Sequence, residues 1–338
     1  MEQRVASSRR VKRAPLERRG PKTADLPLFE AAERAVLPPT FATWFAKRGW
    51  EARPYQMEMV RLAQAGKSAL LIAPTGAGKT LAGFLPSLVE LTARKNTTGK
   101  LHTLYISPLK ALAVDIERNL GKPVAEIGLS IAIETRTGDT PAHKRQRQKL
   151  SPPDILLTTP EQLALLIAGS DARRFFEDLR YVIFDELHSL VTSKRGHLLS
   201  LGLARLRSFV QELRAIGLSA TVAEPDELRR WLVPQNPCGR MAGLVTVAGG
   251  AKPDISILDS QERVPWAGHS ARYAIAEIYE EIRKHRTTLL FVNTRSQAEM
   301  LFQELWRMND DGLAIALHHG SLDVAQRRKV EGAMGAGP

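Results

Sequence analysis

The chain has 338 residues, 43% hydrophobic and 25% charged, a composition typical of a folded globular chain and contrary to wholesale disorder. At roughly 100–200 residues per domain it is long enough for two. Forty-eight Lys and Arg against 36 Asp and Glu leave a net charge of +12, an excess that suits a polyanionic partner such as nucleic acid. No apolar run approaches the roughly 18 residues of a membrane-spanning helix. The start of the chain has charge but no apolar stretch, so it does not read as a secretory signal. Cys238 stands alone and forms neither an internal disulfide nor a zinc cluster, which makes a cytoplasmic location the default expectation.

Residues 1–22 carry eight basic side chains against Glu2 and Glu17, a net of +6 and half of the total. Residues 1–38 are therefore expected to form a basic, disordered arm. A solvated arm is favoured over a dedicated binding element or an Arg-rich transit peptide. After Pro38-Pro39, Phe41 to Trp50 reads as a short helix rich in aromatics. Apolar runs of strand length follow at Ser68–Ala73, Leu101–Ile106, Ser130–Glu134, Ile155–Leu157, Arg180–Phe184 and Ala215–Leu218. Between them lie helical patterns at Leu81–Arg94, Leu109–Leu120, Glu161–Ala168 and His197–Leu213. Strand alternating with helix predicts a parallel sheet covered on both faces. Residues 232–253 are rich in Gly and Pro and read as a linker. Beyond it, helices are expected at Ser270–His285 and Ser296–Met308, and strands at Thr287–Val292 and Leu313–Leu317.

Polar clusters stand directly after the apolar runs, and in an open parallel sheet ligands bind beyond the carboxyl ends of the strands. The clearest is Ala73-Pro74-Thr75-Gly76-Ala77-Gly78-Lys79-Thr80, which fits a phosphate-binding loop except that Ala73 stands where the general pattern has its first Gly. Its glycines let the backbone wrap around phosphate oxygens, Lys79 reaches the β- and γ-phosphates, and Thr80 supplies a hydroxyl to Mg²⁺. The second is Asp185-Glu186-Leu187-His188. Asp185 is placed to hold Mg²⁺ through water, and Glu186 to orient and deprotonate an attacking water. His188 is expected to couple the γ-phosphate to Ser219-Ala220-Thr221. Gln56, ahead of the first strand, carries an amide able to bond adenine N6 and N7 and so to select ATP over GTP. Phe41, Trp44 or Phe45 could stack on the base, although core packing is the favoured fate of each. The cluster His143 to Lys149 either adds phosphate contacts from a loop or is a solvated helix start.

In this order and spacing, the phosphate loop, the Asp-Glu-Leu-His box and Ser-Ala-Thr resemble superfamily 2 helicases of the DExH type, from about Gln56 to the C-terminus. The string Asp185 to Ser200, with Ser193-Lys194-Arg195-Gly196-His197 after the box, resembles the large helicase-related (Lhr-type) proteins. Among these it is most similar to the bacterial ligase-associated DNA-repair branch. The resemblance implies two RecA-like domains, with ATP and Mg²⁺ in the cleft and a single strand crossing both. By position it implies strand contacts from Pro108 and Lys110, from Thr137, Gly138 and Asp139, and from Thr159, Pro160 and Glu161. In the second domain it implies contacts from Asn293, Arg295, His319 and Gly320. Family members move 3′ to 5′ on single-stranded DNA and unwind duplexes or DNA–RNA hybrids. The resemblance therefore also implies single-stranded or partly duplex DNA, and repair proteins such as a ligase, as partners.

The expected fold is α/β, a RecA-like parallel sheet with helices on both faces followed by a partial second RecA-like domain. Its parts are the arm at 1–38, an ATP-binding domain at 39–231, a linker at 232–269 and the partial domain at 270–338. The family's later motifs, including the arginines that reach the γ-phosphate, would fall beyond Pro338. The expectation is thus an ATP-dependent DNA helicase or translocase that as this chain binds ATP–Mg²⁺ but hydrolyses it weakly. The alternatives are a non-enzymatic module binding ATP and nucleic acid, and an RNA helicase.

Overall fold

The computed structural model describes residues 37–94, 99–220, 222–235, 239–250, 253–258, 260 and 271–336. The basic arm up to residue 36, Thr221, Cys238 and most of 259–270 lie outside the described residues. The chain divides into two compact units, residues up to 251 and residues from 252.

Seven short strands build the first unit: β1 (Ala69–Ile72), β2 (Thr103–Ile106), β3 (Ile133–Arg136), β4 (Ile155–Thr158), β5 (Tyr181–Phe184), β6 (Arg214–Ser219) and β7 (Gly243–Thr246). They form one sheet in the order β3-β4-β2-β5-β6-β1-β7, every pair parallel. Parallel neighbours need long crossovers, and helices supply them on both faces. One face is covered by α1 (Pro39–Lys47), α2 (Pro54–Gln64), α3 (Lys79–Ala93) and α4 (Lys110–Ile127). The helix α5 (Ala142–Leu150) links β3 to β4. The other face carries α6 (Pro160–Ile167), α7 (Ala172–Phe176), α8 (Leu187–Val191), α9 (Lys194–Phe209) and α10 (Pro225–Trp231).

Alternation along each strand splits the apolar residues between these layers. Tyr181 and Ile183 join the first core, while Val182 and Phe184 join the second. Phe41, Trp44 and Phe45 are buried in the first, which settles them as packing residues. At roughly 1.5–3 kcal/mol per buried Leu, Ile or Phe, these layers outweigh the exposed ion pairs by far.

Four expectations need correction. β3 begins at Ile133 rather than Ser130. The Gly-rich segment read as linker contains β7, whose Gly243–Thr246 pairs with Ala69–Ile72 and buries Val245. Flanking Gly and Pro hid so short a strand. The cluster at 143–149 is helical rather than a loop, lying within α5. In the second unit, no strand is found among the described residues. Thr287–Val292 and Leu313–Leu317 are assigned to no strand, and Phe291 is 85% exposed. A strand is defined by its ladder, and an apolar run without a neighbour has none. Among the described residues the unit contains a 3-10 turn at Ala271–Ala274 and the helices α11 (Ile275–Arg283), α12 (Arg295–Arg307) and α13 (Val324–Ala336), with a small core of Ile275, Tyr279, Leu301 and Leu305. No helix among the described residues is long and apolar enough to cross a membrane.

At the amino ends of β5 and β6, Glu90 of α3 accepts hydrogen bonds from the Tyr181 hydroxyl and from Arg214 Nη2, both at 2.8 Å, with His102 Nε2 3.5 Å away. Burial pushes the Glu90 carboxyl up, but His102, Tyr181 and the Arg214 charge together pull it down to about 2. A carboxyl held that low in the fold contributes stability above its unfolded pKa and loses it as pH falls towards 2. Glu90→Gln is therefore expected to lower stability by about 1–2 kcal/mol at pH 7, allowing for the partial exposure of this carboxylate. Urea midpoints of the variant and the parent should converge between pH 4 and pH 2.

Candidate functional site

The phosphate loop owes its shape to two glycines. Gly76 and Gly78 adopt φ of 79° and 84°, which L side chains rarely adopt, and Gly78 caps α3 so that Lys79 opens the helix. The Ala77 carbonyl is held from α2: Arg53 Nη1 donates to it at 3.0 Å, as does the Tyr55 hydroxyl. Gln56 is buried beneath this loop. Its Oε1 accepts from the Arg53 backbone N–H at 2.9 Å, and its Nε2 lies 4.0 Å from where a Cβ on Gly78 would stand. Thr75 is exposed and Thr80 half-buried in the first turn of α3.

The order of strands brings the box to this loop. β6 lies between β1 and β5, with Ile72 level with Ser219 and Phe184 level with Gly217. Ser219 thus sits between the phosphate loop and the box, and the side chains meet across it. Lys79 Nζ is 3.9 Å from Glu186 Oε1, His188 Nε2 is 3.6 Å from Glu186 Oε2, and His188 Nδ1 is 2.8 Å from Ser219 Oγ. Ala220 follows directly on the same edge, whereas Thr221 is outside the described residues. Glu186 adopts φ 46°, the one positive value of a non-glycine residue among the described residues. Such a conformation costs on the order of 1–3 kcal/mol and persists where packing over-determines it.

Asp185 is 8% exposed and both its oxygens are engaged. Oδ1 accepts from the Glu186 N–H at 3.0 Å, and Oδ2 accepts from the Tyr105 hydroxyl. Tyr105 is fully buried in β2, and burial together with the Asp185 charge pushes its phenol far above the ordinary value, so it donates.

Further along the same edge, the ends of β2, β4 and β3 are level: Ile106 pairs with Thr158, and Thr158 with Arg136. The loops that follow are cross-linked. Lys110 Nζ meets Asp139 Oδ1 at 2.9 Å and lies beside Gly138. Thr137 Oγ1 accepts from the Asp139 N–H at 3.3 Å. Thr159 stands directly before α6 and Pro160 opens it. The Pro108 carbonyl and the Glu161 carboxylate are both held by Arg195. Glu161 therefore faces a guanidinium of its own chain. In α5, Arg147 is committed to Glu134 at 2.7 Å. In the second unit, Arg295 at the start of α12 donates to the Ser321 hydroxyl, and His319 Nδ1 accepts from the Ser321 N–H at 3.3 Å. Arg295 and the His319-Gly320 turn thereby come together, with Asn293 two residues before α12 proper.

These features agree with comparisons to known proteins. The DEAD/DEAH box helicase family matches residues 53–228. The chain belongs to that family. It is 36% identical over 318 residues to the ATP-dependent helicase Lhr-Core of Methanothermobacter thermautotrophicus, covering 88% of this chain and 36% of that protein. To the Lhr helicase/uracil glycosylase of Escherichia coli it is 35% identical over 302 residues, covering 80% of this chain and 19% of that one. The structure of Mycobacterium smegmatis helicase Lhr bound to ssDNA and AMP-PNP superposes with a TM-score of 0.68 at 35% identity, over 88% of this chain and 40% of that one. The chain thus spans about a third of the length of the first of these helicases, and its fold is the RecA-like α/β arrangement.

Two residues of this DEAD/DEAH box site were missed by sequence reasoning. Tyr105 is the one phenol in the short strand Thr103–Ile106, a signal readable in the sequence. Arg195 stands in the Ser193–His197 string, where nothing local points to its partners Glu161 and Pro108. Tyr105→Phe leaves a buried carboxylate oxygen without its donor, so it is expected to cost about 1–3 kcal/mol, measured by urea unfolding at pH 7.

Proposed function

We propose that this chain is the ATP-hydrolysing and strand-gripping portion of an Lhr-type superfamily 2 DNA helicase, coupling hydrolysis to movement on single-stranded DNA in DNA repair. The observation that carries this reading is the linked set Lys79, Glu186, His188 and Ser219 at the ends of β1, β5 and β6. On this reading the backbone from Thr75 to Thr80 cradles the phosphates and Lys79 neutralises their charge. Glu186 accepts the proton of the attacking water, with Lys79 and His188 fixing its two oxygens. His188 relays the state of the γ-phosphate to Ser219-Ala220-Thr221, and Gln56 reads the base.

Among the described residues no group of three His, Cys, Asp or Glu could hold a metal by itself. A Thr80 hydroxyl and an Asp185 carboxylate are hard oxygen donors that fit Mg²⁺, which takes one or two carboxylates and shares the phosphates. When bound, Mg²⁺ neutralises charge on the phosphate oxygens. Asp185 would hold it, with its carboxylate already aimed by Tyr105 and the Glu186 N–H.

The strand would lie along Pro108, Lys110, Thr137, Gly138, Asp139, Thr159 and Pro160. The second unit, read as the first part of a second RecA-like domain, would add Asn293, Arg295, His319 and Gly320. That the Mycobacterium smegmatis relative is bound to ssDNA supports DNA as the ligand. A relative named helicase/uracil glycosylase supports a setting in DNA repair.

Single-turnover ATP hydrolysis with and without oligo(dT) or oligo(U) tests this. Glu186→Gln is expected to slow hydrolysis by on the order of 10²–10⁴ while keeping AMP-PNP binding, and oligo(dT) should stimulate the parent more than oligo(U). Hydrolysis unchanged in Glu186→Gln would refute the assignment, and binding without any hydrolysis would leave a non-enzymatic module.

A further inference from the structure

The segment Ser193-Lys194-Arg195-Gly196-His197 follows the box and has no part in the hydrolytic set of Lys79, Glu186, His188 and Ser219. Its local geometry accounts for each of the residues at its centre. Ser193 caps α9, its hydroxyl oxygen accepting from the Gly196 N–H at 3.2 Å and donating to the Leu190 carbonyl at 2.7 Å. Gly196 allows α9 to turn directly off α8: a Cβ there would stand 2.1 Å from the Leu190 carbonyl oxygen, and 2.7 Å from that of Val191. This tight corner carries Arg195 back over the edge of the sheet. Arg195 Nε and Nη2 donate to the two oxygens of Glu161 at 2.6 and 3.2 Å, and Nη1 donates to the Pro108 carbonyl at 2.8 Å. Glu161 lies in the first turn of α6 after β4, and Pro108 in the loop after β2.

A planar guanidinium with three donors committed inward, two on one carboxylate, fixes direction as well as distance. One residue thus locks two loops that the proposed function assigns to the strand. It stands on the helix pair that begins at Glu186 and His188, so the loops and the hydrolytic box share one rigid connection. We propose that Arg195 is a positioning residue for nucleic acid, clasping the loops after β2 and β4 into a single strand-binding surface and tying that surface to the box. The inference rests on the reading of those loops as strand contacts.

The experiment measures fluorescence anisotropy of a labelled oligo(dT) across a KCl series, with and without AMP-PNP and Mg²⁺. The proteins are the full chain, Arg195→Gln, Arg195→Lys, Glu161→Gln, the double Gln variant and Lys110→Ala. If Arg195 acts through Glu161, each single Gln variant should weaken binding about tenfold, and the double variant no further. Arg195→Lys should behave as Arg195→Gln, because an ammonium cannot span both loops. The gain in oligonucleotide affinity given by AMP-PNP should shrink in all of these, an effect that local packing alone would not produce. The salt slope should stay at the parent value for Arg195→Gln, and fall by about 0.7 for Lys110→Ala.

A fall in slope for Arg195→Gln would overturn the proposal by making Arg195 a direct phosphate ligand. So would binding equal to the parent, or additive losses in the double variant. Glu161→Gln removes the same clasp from a half-exposed carboxylate, so it carries the test should Arg195→Gln fail to fold. Failure of the underlying reading looks different: the parent does not bind oligo(dT), or Lys110→Ala changes neither affinity nor slope.

Discussion

The placement of β6 between β1 and β5 is the constraint on which the site depends. With the strands parallel, everything that follows a strand emerges on one edge. The phosphate loop and the box are more than a hundred residues apart in the chain, yet they stand one strand apart in space. Ser219 fills the interval, and its hydroxyl is the only short bridge that His188 needs. With β6 between them, Lys79 and Glu186 reach each other over the width of one strand, Nζ to Oε1 at 3.9 Å. The same order separates two kinds of work on one edge. The ends of β5, β6 and β1 bear the acids, the Lys and the glycines, whereas those of β2, β4 and β3 bear the cross-linked polar loops.

Rigidity around the box is built from the flanks. Tyr105 rises from the neighbouring strand to fix Asp185, and the Glu186 N–H takes the other oxygen of the same carboxylate. That turn forces Glu186 into a left-handed conformation, which aims its carboxylate between Lys79 and His188. Backbone strain at Glu186 and a buried, fully bonded Asp185 both lower the conformational freedom of the box. Their cost falls on the sheet, whose opposite edge is fastened by Glu90, Tyr181, Arg214 and the buried His102.

Much of this was legible in the residues. Apolar runs separated by helical patterns located six of seven strands, because buried parallel strands read as near-continuous aliphatic stretches. The phosphate loop and the box were legible because their chemistry is compressed into a few consecutive positions. Partners across the sheet were not. Nothing local pairs Tyr105 with Asp185 or Arg195 with Pro108, since those contacts follow from strand order. The four residues of β7 were too few to stand out between glycines. Thr287–Val292 and Leu313–Leu317 have the composition of strands without a ladder to join, and composition cannot report a missing neighbour.

The charge of the molecule also takes on a sharper meaning. Half of the +12 belongs to residues 1–22, and many cations of the folded part face carboxylates of their own chain. Two such pairs on the strand edge differ in kind. Lys110 and Asp139 form a single contact with side chains 54% and 76% exposed, a geometry whose net value in water is about 0–1 kcal/mol. A phosphate can take Lys110 from Asp139 at little cost. Arg195 instead holds Glu161 with two bonds and a backbone carbonyl with a third, so a phosphate drawing it away would forfeit all three and release two loops. On the proposed reading, the looser pair would exchange its carboxylate for nucleic acid, and the tighter one would keep the surface in place during that exchange.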